Sequence, residues 1–211
     1  MMFRLPTVYP ITDQQRSGLS HSDQVRLLVK GGARLIQLRD KHSSPREFLR
    51  EAARALTVAR QFQVRIIIND RVDIALALSA DGVHLGQDDM PPTAARRILG
   101  ERALVGFSTH NLQEAADSAQ QPVDYIALGP IFATSSKTDT EPVVGLEGLS
   151  QVRKMIREKP LVAIGGITLA NAGEVFRAGA DGIALISALL EKPEEISSRL
   201  QNLIALPGTL T

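Results

Sequence analysis

Short apolar runs alternate with longer amphipathic stretches along the chain. Four of the runs share one pattern, a small or branched apolar residue followed by apolar residues three and five positions later. They are Ala33-Arg-Leu-Ile36-Gln-Leu38, Ala80-Asp-Gly-Val83-His-Leu85, Val123-Asp-Tyr-Ile126-Ala-Leu128 and Ala180-Asp-Gly-Ile183-Ala-Leu185. Their starts lie 47, 43 and 57 residues apart. Each run is rich in branched side chains and bounded by Gly or polar residues, which predicts a buried strand. A second set lies between them: Thr7-Val-Tyr-Pro-Ile-Thr12, Val64-Arg-Ile-Ile-Ile68, Ala103-Leu-Val-Gly-Phe107 and Pro160-Leu-Val-Ala-Ile164. Interleaved, the two sets give eight strands.

The stretches between strands carry helical periodicity. Phe48, Ala52, Leu56 and Ala59 share one face of 45–61, with Arg50, Arg54 and Arg60 elsewhere. Similar faces predict helices over 21–31, 71–79 and 168–178. Strict strand–helix alternation implies parallel strands joined by crossover helices. Eight units of about 26 residues each predict a compact (β/α)8 TIM barrel, with a doubly wound open sheet as runner-up. The near-regular two-unit repeat favours closure. No boundary divides the chain, so residues 1–211 are expected to form a single domain.

Composition narrows the function. With 24 basic and 23 acidic residues the net charge is +1, which gives no electrostatic footprint for nucleic acid or an anionic membrane. No apolar run is long enough to span a bilayer, and the start lacks a signal-peptide core. The absence of Cys excludes disulfides, thiolate nucleophiles and Cys-ligated metals. The expectation is a soluble, cytoplasmic domain. Oligomeric state is left open, a homo-oligomer included.

In such a barrel, chemistry sits at the C-terminal strand ends. Asp70 and Asp89 close neighbouring strands, so their carboxylates could share one hard cation. The alternative is that each caps the following helix. Gln37, Arg39 and Lys41 alternate on one side of an extended segment, two cations and an amide suited to a pyrophosphate. The alternative for them is a solvated loop.

Gly165-Gly166 and Ile186-Ser187 end strands 7 and 8, the common phosphate site of this fold. Residues 129–144 form the longest irregular stretch, a candidate lid in which Thr134, Ser136 and Lys137 could close over phosphates. His84 is expected to line the barrel core, and His110 either to meet substrate or to join the helix cap at Asn111. No Walker loop, dinucleotide fingerprint or nucleophile elbow is present.

Taken in order, these residues resemble the thiamine phosphate synthase family, in the superfamily shared with thiazole tautomerase. The specific pieces are Gln37-Leu-Arg-Asp-Lys41, Ile68-Asn-Asp-Arg-Val-Asp-Ile-Ala-Leu76, Ala80-Asp-Gly-Val-His-Leu-Gly-Gln-Asp-Asp89 and Gly129-Pro-Ile-Phe-Ala-Thr-Ser-Ser-Lys137. Gly145-Leu-Glu-Gly148, Ala163-Ile-Gly-Gly-Ile167 and Gly179-Ala-Asp-Gly182 complete the match along almost the whole chain.

The resemblance implies a transferase of thiamine biosynthesis acting on two small molecules. Gln37, Arg39, Lys41, Asn69, Ser108 and Lys137 would hold an aminopyrimidine methyl pyrophosphate, with Asp70 and Asp89 binding its Mg2+. Thr134, Ser136, Gly166, Ile186 and Ser187 would hold a thiazole phosphate. Arg39, Lys41, Ser108 and Lys137 would form the catalytic set around the departing pyrophosphate. The family usually has Thr at the place of Ser136. Its first strand usually reads Tyr-Leu-Val-Thr-Asp; here Tyr9-Pro-Ile-Thr-Asp13 has a proline that cannot donate to a ladder, which predicts an irregular inner edge of strand 1. Two alternatives share the fold: a metal-independent tautomerase with His110 in its site, and a non-catalytic thiazole-phosphate-binding barrel. Retention of the carboxylates and the pyrophosphate set ranks the synthase first.

Overall fold

The computed structural model describes residues 4–134 and 142–206. Within them run eight short strands: β1 (Val8–Thr12), β2 (Leu35–Leu38), β3 (Arg65–Asn69), β4 (Gly82–Leu85), β5 (Leu104–Thr109), β6 (Tyr125–Leu128), β7 (Leu161–Ile164) and β8 (Gly182–Leu185). Each pairs in parallel with the next, and β8 pairs with β1, so the sheet closes in sequence order. The barrel expected from the alternation is the barrel observed, and the open-sheet alternative falls away.

Helices occupy the outside: α1 (Gln14–Ser17), α2 (His21–Lys30), α3 (Pro45–Gln61), α4 (Val72–Ala77), α5 (Pro92–Leu99), α6 (Leu112–Ala119), α7 (Gly145–Ile156), α8 (Ala172–Arg177), α9 (Ser187–Leu190) and α10 (Ile196–Ile204). The longest, α3, starts as its sequence dictates. Ser44 and Glu47 form a capping box, and Pro45 takes the first turn, where no N–H is needed. Its face of Phe48, Ala52, Leu56 and Ala59 is buried. Helix α8 is shorter than the 168–178 periodicity predicts, because Asn171 accepts from the Thr168 N–H and turns the chain first. Among the described residues no helix is long and apolar enough to cross a membrane.

The repeat in the sequence has a physical origin at the N-terminal face. Asp81, Asp124 and Asp181 each accept the backbone N–H of the neighbouring strand's residue Ile66, Val105 or Leu161, at 2.8, 2.7 and 2.8 Å. Their own N–H groups donate to the carbonyls of those same residues. Each aspartate thus clamps one crossover to the adjacent strand with two bonds. In the first unit Arg34 stands at the aspartate's place, and its carbonyl accepts the Arg65 N–H of the following strand as the Asp81 carbonyl accepts the Leu104 N–H.

Strand β1 runs unbroken through Pro10, and what the proline shortens is the ladder along one edge. The register explains it: Val8, Tyr9 and Pro10 pair with β8, and pairing to β2 begins only at Ile11. The missing donor lies ahead of the β2 ladder.

Candidate active site

The strand ends bring the predicted polar residues to one rim. Gln37 lies within β2 and is buried, Asn69 ends β3, and Ser108 sits one residue before the end of β5. Arg39 and Lys41 follow β2, Asp70 follows β3, and Asp89 lies between β4 and α5. Gly166 follows β7, while Ile186 and Ser187 join β8 to α9. Thr134 is the last described residue of its loop. Of the lid expected over 129–144, residues 135–141 lie outside the described residues, Ser136 and Lys137 among them.

Neither rim aspartate caps a helix. The cap positions of α4 and α5 are Arg71 and Pro91, and neither receives a side-chain cap bond. Asp70 instead sits at φ 60, with the Arg71 N–H donating to the Asn69 carbonyl at 2.8 Å in a γ-turn. Asp is among the few side chains tolerated in that left-handed region, and such conformations concentrate at functional sites. The turn presents the Asp70 carboxylate to the Lys41 ammonium, which donates to Oδ2. Asp89 Oδ2 accepts the Gly86 N–H at 2.7 Å.

The two carboxylates come within reach of each other. Burial, joined by the adjoining Asp70 carboxylate, pushes the Asp89 carboxyl above its ordinary range, against the pull of the Gly86 N–H and Lys41. A pair of adjoining carboxylates is a donor set suited to a hard cation. Among the described residues no group of three or more His, Cys, Asp or Glu side chains is placed to hold a metal. Two carboxylates are nonetheless the usual protein share for Mg2+, whose other ligands are water and substrate phosphates.

Arg39 donates to Asp13 Oδ2 at 2.9 Å. Asp13 in turn caps α1, its Oδ1 accepting from the Gln15 and Arg16 N–H groups. The guanidinium is thus aimed by a helix cap to which the sequence pattern assigns no role. A cleft of about 320 Å³ opens there, with Asp13, Arg39, Lys41 and His42 in its lining. Close by, Asn69 Nδ2 is buried and has no hydrogen-bond partner in the protein. A buried amide donor left unpaired is costly unless a ligand supplies the acceptor.

On the opposite side, Gly165 and Gly166 take φ 100 and 64. The loop after β6 presses against them: the Phe132 N–H donates to the Gly165 carbonyl at 3.0 Å, and a Cβ on Gly166 would stand 2.6 Å from the Ala133 carbonyl oxygen. Only glycine permits this approach between the two loops. At α9 the cap residue Ile186 makes no side-chain cap bond.

His84 lines the barrel interior as expected, bonded to Tyr125 and Ser108. The His110 N–H donates to Glu114 Oε2, and its Nδ1 lies 3.2 Å from that oxygen, beside the Asn111 cap of α6. This geometry matches the helix-cap alternative for His110.

Beneath the rim lies a group that the sequence pattern does not reveal. His21 Nδ1 is 2.8 Å from Thr12 Oγ1, and His21 Nε2 lies 3.6 Å from Asp40 Oδ2. Burial lowers the His21 pKa, outweighing the attraction of Asp40, so His21 is neutral in the folded protein. Asp40 stays charged: burial opposes this, but the Ser43 and His42 N–H groups hold its carboxyl below the ordinary range. The folded state refuses a proton at His21 that the unfolded chain accepts below about pH 6.5. His21 therefore contributes stability above that pH, which is lost as pH falls toward its folded pKa. Thermal melts of the native protein between pH 7 and pH 5.5 should fall more steeply than those of His21→Gln. Parallel curves would remove His21 from the acid response.

Comparison with known proteins follows the same lines. The family model described as thiamine monophosphate synthase matches residues 8–189. A thiamine-phosphate synthase of Chloroflexus aurantiacus is 46% identical over 200 residues, covering 94% of this chain and 91% of that protein. One of Albidiferax ferrireducens is 48% identical over 200 residues, covering 93% and 91%. Among solved structures, a thiamine phosphate pyrophosphorylase from Pyrococcus furiosus superposes with a TM-score of 0.84 at 36% identity, covering 93% of each chain.

Proposed function

The chain belongs to the thiamine monophosphate synthase family, and from that premise we propose that it is a transferase joining 4-amino-2-methyl-5-hydroxymethylpyrimidine pyrophosphate to hydroxyethylthiazole phosphate, releasing pyrophosphate. The observation that carries this reading is the pair of rim carboxylates, Asp70 and Asp89, which cap no helix and stand beside Lys41. Asp70 and Asp89 would hold Mg2+, which when bound supplies charge neutralisation to the departing pyrophosphate.

The protein's own residues do the rest. Arg39, aimed by Asp13, and Lys41 meet the negative charge that develops as the bond from methylene carbon to pyrophosphate oxygen breaks. Asn69 offers its unpaired amide to an oxygen or ring acceptor of the same substrate. Gln37 and Ser108 hold the pyrimidine, and Lys137 completes the positive set on the resemblance alone. Thr134, Ser136, Gly166, Ile186 and Ser187 take the thiazole phosphate, whose ring nitrogen then bonds to the methylene carbon. Positioning and exclusion of water carry the reaction, and no side-chain nucleophile is required. Both substrates are small, charged and water-soluble, as suits a cytoplasmic enzyme.

The test is an assay of purified protein with both substrates, with Mg2+ and with chelator. Thiamine phosphate should form in the first and not in the second. Thiazole tautomer interconversion without synthesis would instead favour the tautomerase, and binding of thiazole phosphate without either reaction would favour the non-catalytic barrel.

A further inference from the structure

The barrel interior holds a continuous chain of polar side chains from β2 to β5, buried up to the half-buried Ser108 at its end. Gln37 Nε2 donates to Tyr9 Oη at 3.1 Å. Tyr9 Oη lies 2.9 Å from Tyr125 Oη, Tyr125 Oη lies 3.1 Å from His84 Nδ1, and His84 Nε2 lies 2.9 Å from Ser108 Oγ. The two tyrosine rings meet edge to face, and the His84 ring stacks on Tyr125. Barrels of this fold usually fill these layers with branched apolar residues. Here five polar side chains among the described residues are joined end to end across the interior.

The proton positions along this chain are linked. Tyr9 Oη accepts from Gln37, so its own proton goes to Tyr125. In the polarity that this sets, Tyr125 aims its proton at His84 Nδ1, which is then the acceptor nitrogen. A neutral imidazole with Nδ1 unprotonated carries its proton on Nε2 and donates to Ser108 Oγ. The Ser108 proton is thereby turned away from His84, toward the barrel mouth. At the other end, with Nε2 committed to Tyr9, Gln37 presents Oε1 as an acceptor. Both tyrosines keep their protons, since burial pushes both phenols well above their ordinary range.

We infer that Tyr9, Tyr125 and His84 are positioning residues that fix one hydrogen-bond polarity at the mouth, with Ser108 as donor and Gln37 as acceptor, and so select an aminopyrimidine over its oxo counterpart. An amino group beside an unprotonated ring nitrogen offers a donor and an acceptor. The deaminated ring, an oxo group beside a ring N–H, offers the inverse. With the ring held by its pyrophosphate arm it cannot exchange the two edges. The selection rests on the synthase reading; the polarity does not.

Two measurements separate them. With histidine labelled in ¹⁵N, the ring of His84, assigned by its loss in His84→Gln, should show the Nε2–H tautomer in the native protein. Tyr125→Phe removes the donor to Nδ1 and should give a tautomer mixture, while Tyr9→Phe should keep the Nε2–H form. A native Nδ1–H tautomer would overturn the proposal whether or not the protein turns over.

The second measurement compares kcat/KM for the 4-amino and 4-oxo pyrimidine pyrophosphates. The native protein should prefer the amino substrate by about 100-fold or more, because a site built around buried polar groups rejects a ligand that leaves them unpaired. In Tyr125→Phe and in Tyr9→Phe the preference should shrink about tenfold, with KM for the thiazole phosphate unchanged. A native enzyme without preference, or variants that slow both substrates equally, would reduce the chain to a structural filler. Failure of the native protein to make thiamine phosphate at all would fall on the synthase reading, and the tautomer would still decide the polarity.

Discussion

Asp70→Asn and Asp89→Asn should each lower kcat/KM for thiamine phosphate formation by about 10²–10³-fold. A cation bridging protein and leaving group contributes several kcal/mol of transition-state stabilisation, and about 1.4 kcal/mol corresponds to a factor of ten. Thermal stability should move in neither variant. A lost helix cap would cost about 1 kcal/mol, or roughly 2–4 °C in Tm for a chain of this size, but neither aspartate caps α4 or α5. The Lys41–Asp70 pair is half exposed on the lysine side and adds little stability. Asn keeps the left-handed backbone of position 70 accessible and retains an oxygen for the Gly86 N–H at position 89. Unchanged turnover with a lower Tm would return both residues to a purely architectural role. Titrating Mg2+ in the residual activity gives a second reading, since weakened metal binding raises the concentration needed for half-maximal rate.

The largest stability effect is expected at Gly106. A Cβ there would stand 2.1 Å from Tyr125 Cζ, 2.3 Å from its hydroxyl and 2.5 Å from His84 Nδ1. Those rings are stacked and bonded inside a closed barrel, so they have no room to withdraw. Gly106→Ala should cost about 3 kcal/mol, the upper part of the range for overpacking a core, and lower Tm by roughly 6–12 °C. Activity should fall with it, because moving His84 moves Ser108. Gly173→Ala is the control: it lies in α8 with open space around its Cβ, and alanine is the better helix former. Its Tm should hold or rise. Equal behaviour of the two variants would mean that the interior is looser than these contacts require.

Much of the fold and of the rim is legible in the order of residues along the chain. Strand and helix periods differ, so the eight runs and the amphipathic faces between them follow from spacing alone, and alternation leaves few topologies. Strand ends in a barrel of this kind share a rim, so strand order alone groups Gln37, Asn69, Asp70, Asp89 and Ser108, as the fold does. The repeated Asp81, Asp124 and Asp181 mark real clamps, although the pattern does not name their partners Ile66, Val105 and Leu161.

Local sequence does not decide between cap and ligand for Asp70 and Asp89, because an aspartate before a helix has the same neighbours in either role. The backbone decides it, by starting α4 and α5 one or more residues later and turning Asp70 through a positive φ. Nor does local sequence pair Tyr9 with Tyr125, which are 116 residues apart and read singly as core aromatics. Their meeting depends on the closure of β8 onto β1 and on the space left by Gly106. The sequence by itself determined the barrel and the rim, since both follow from local period and chain order. Only the tertiary structure decided which way Arg39 is aimed, which carboxylates remain for a cation, and how the interior hydrogen bonds are joined. Those are contacts across the barrel, and their partners are fixed by closure rather than by spacing along the chain.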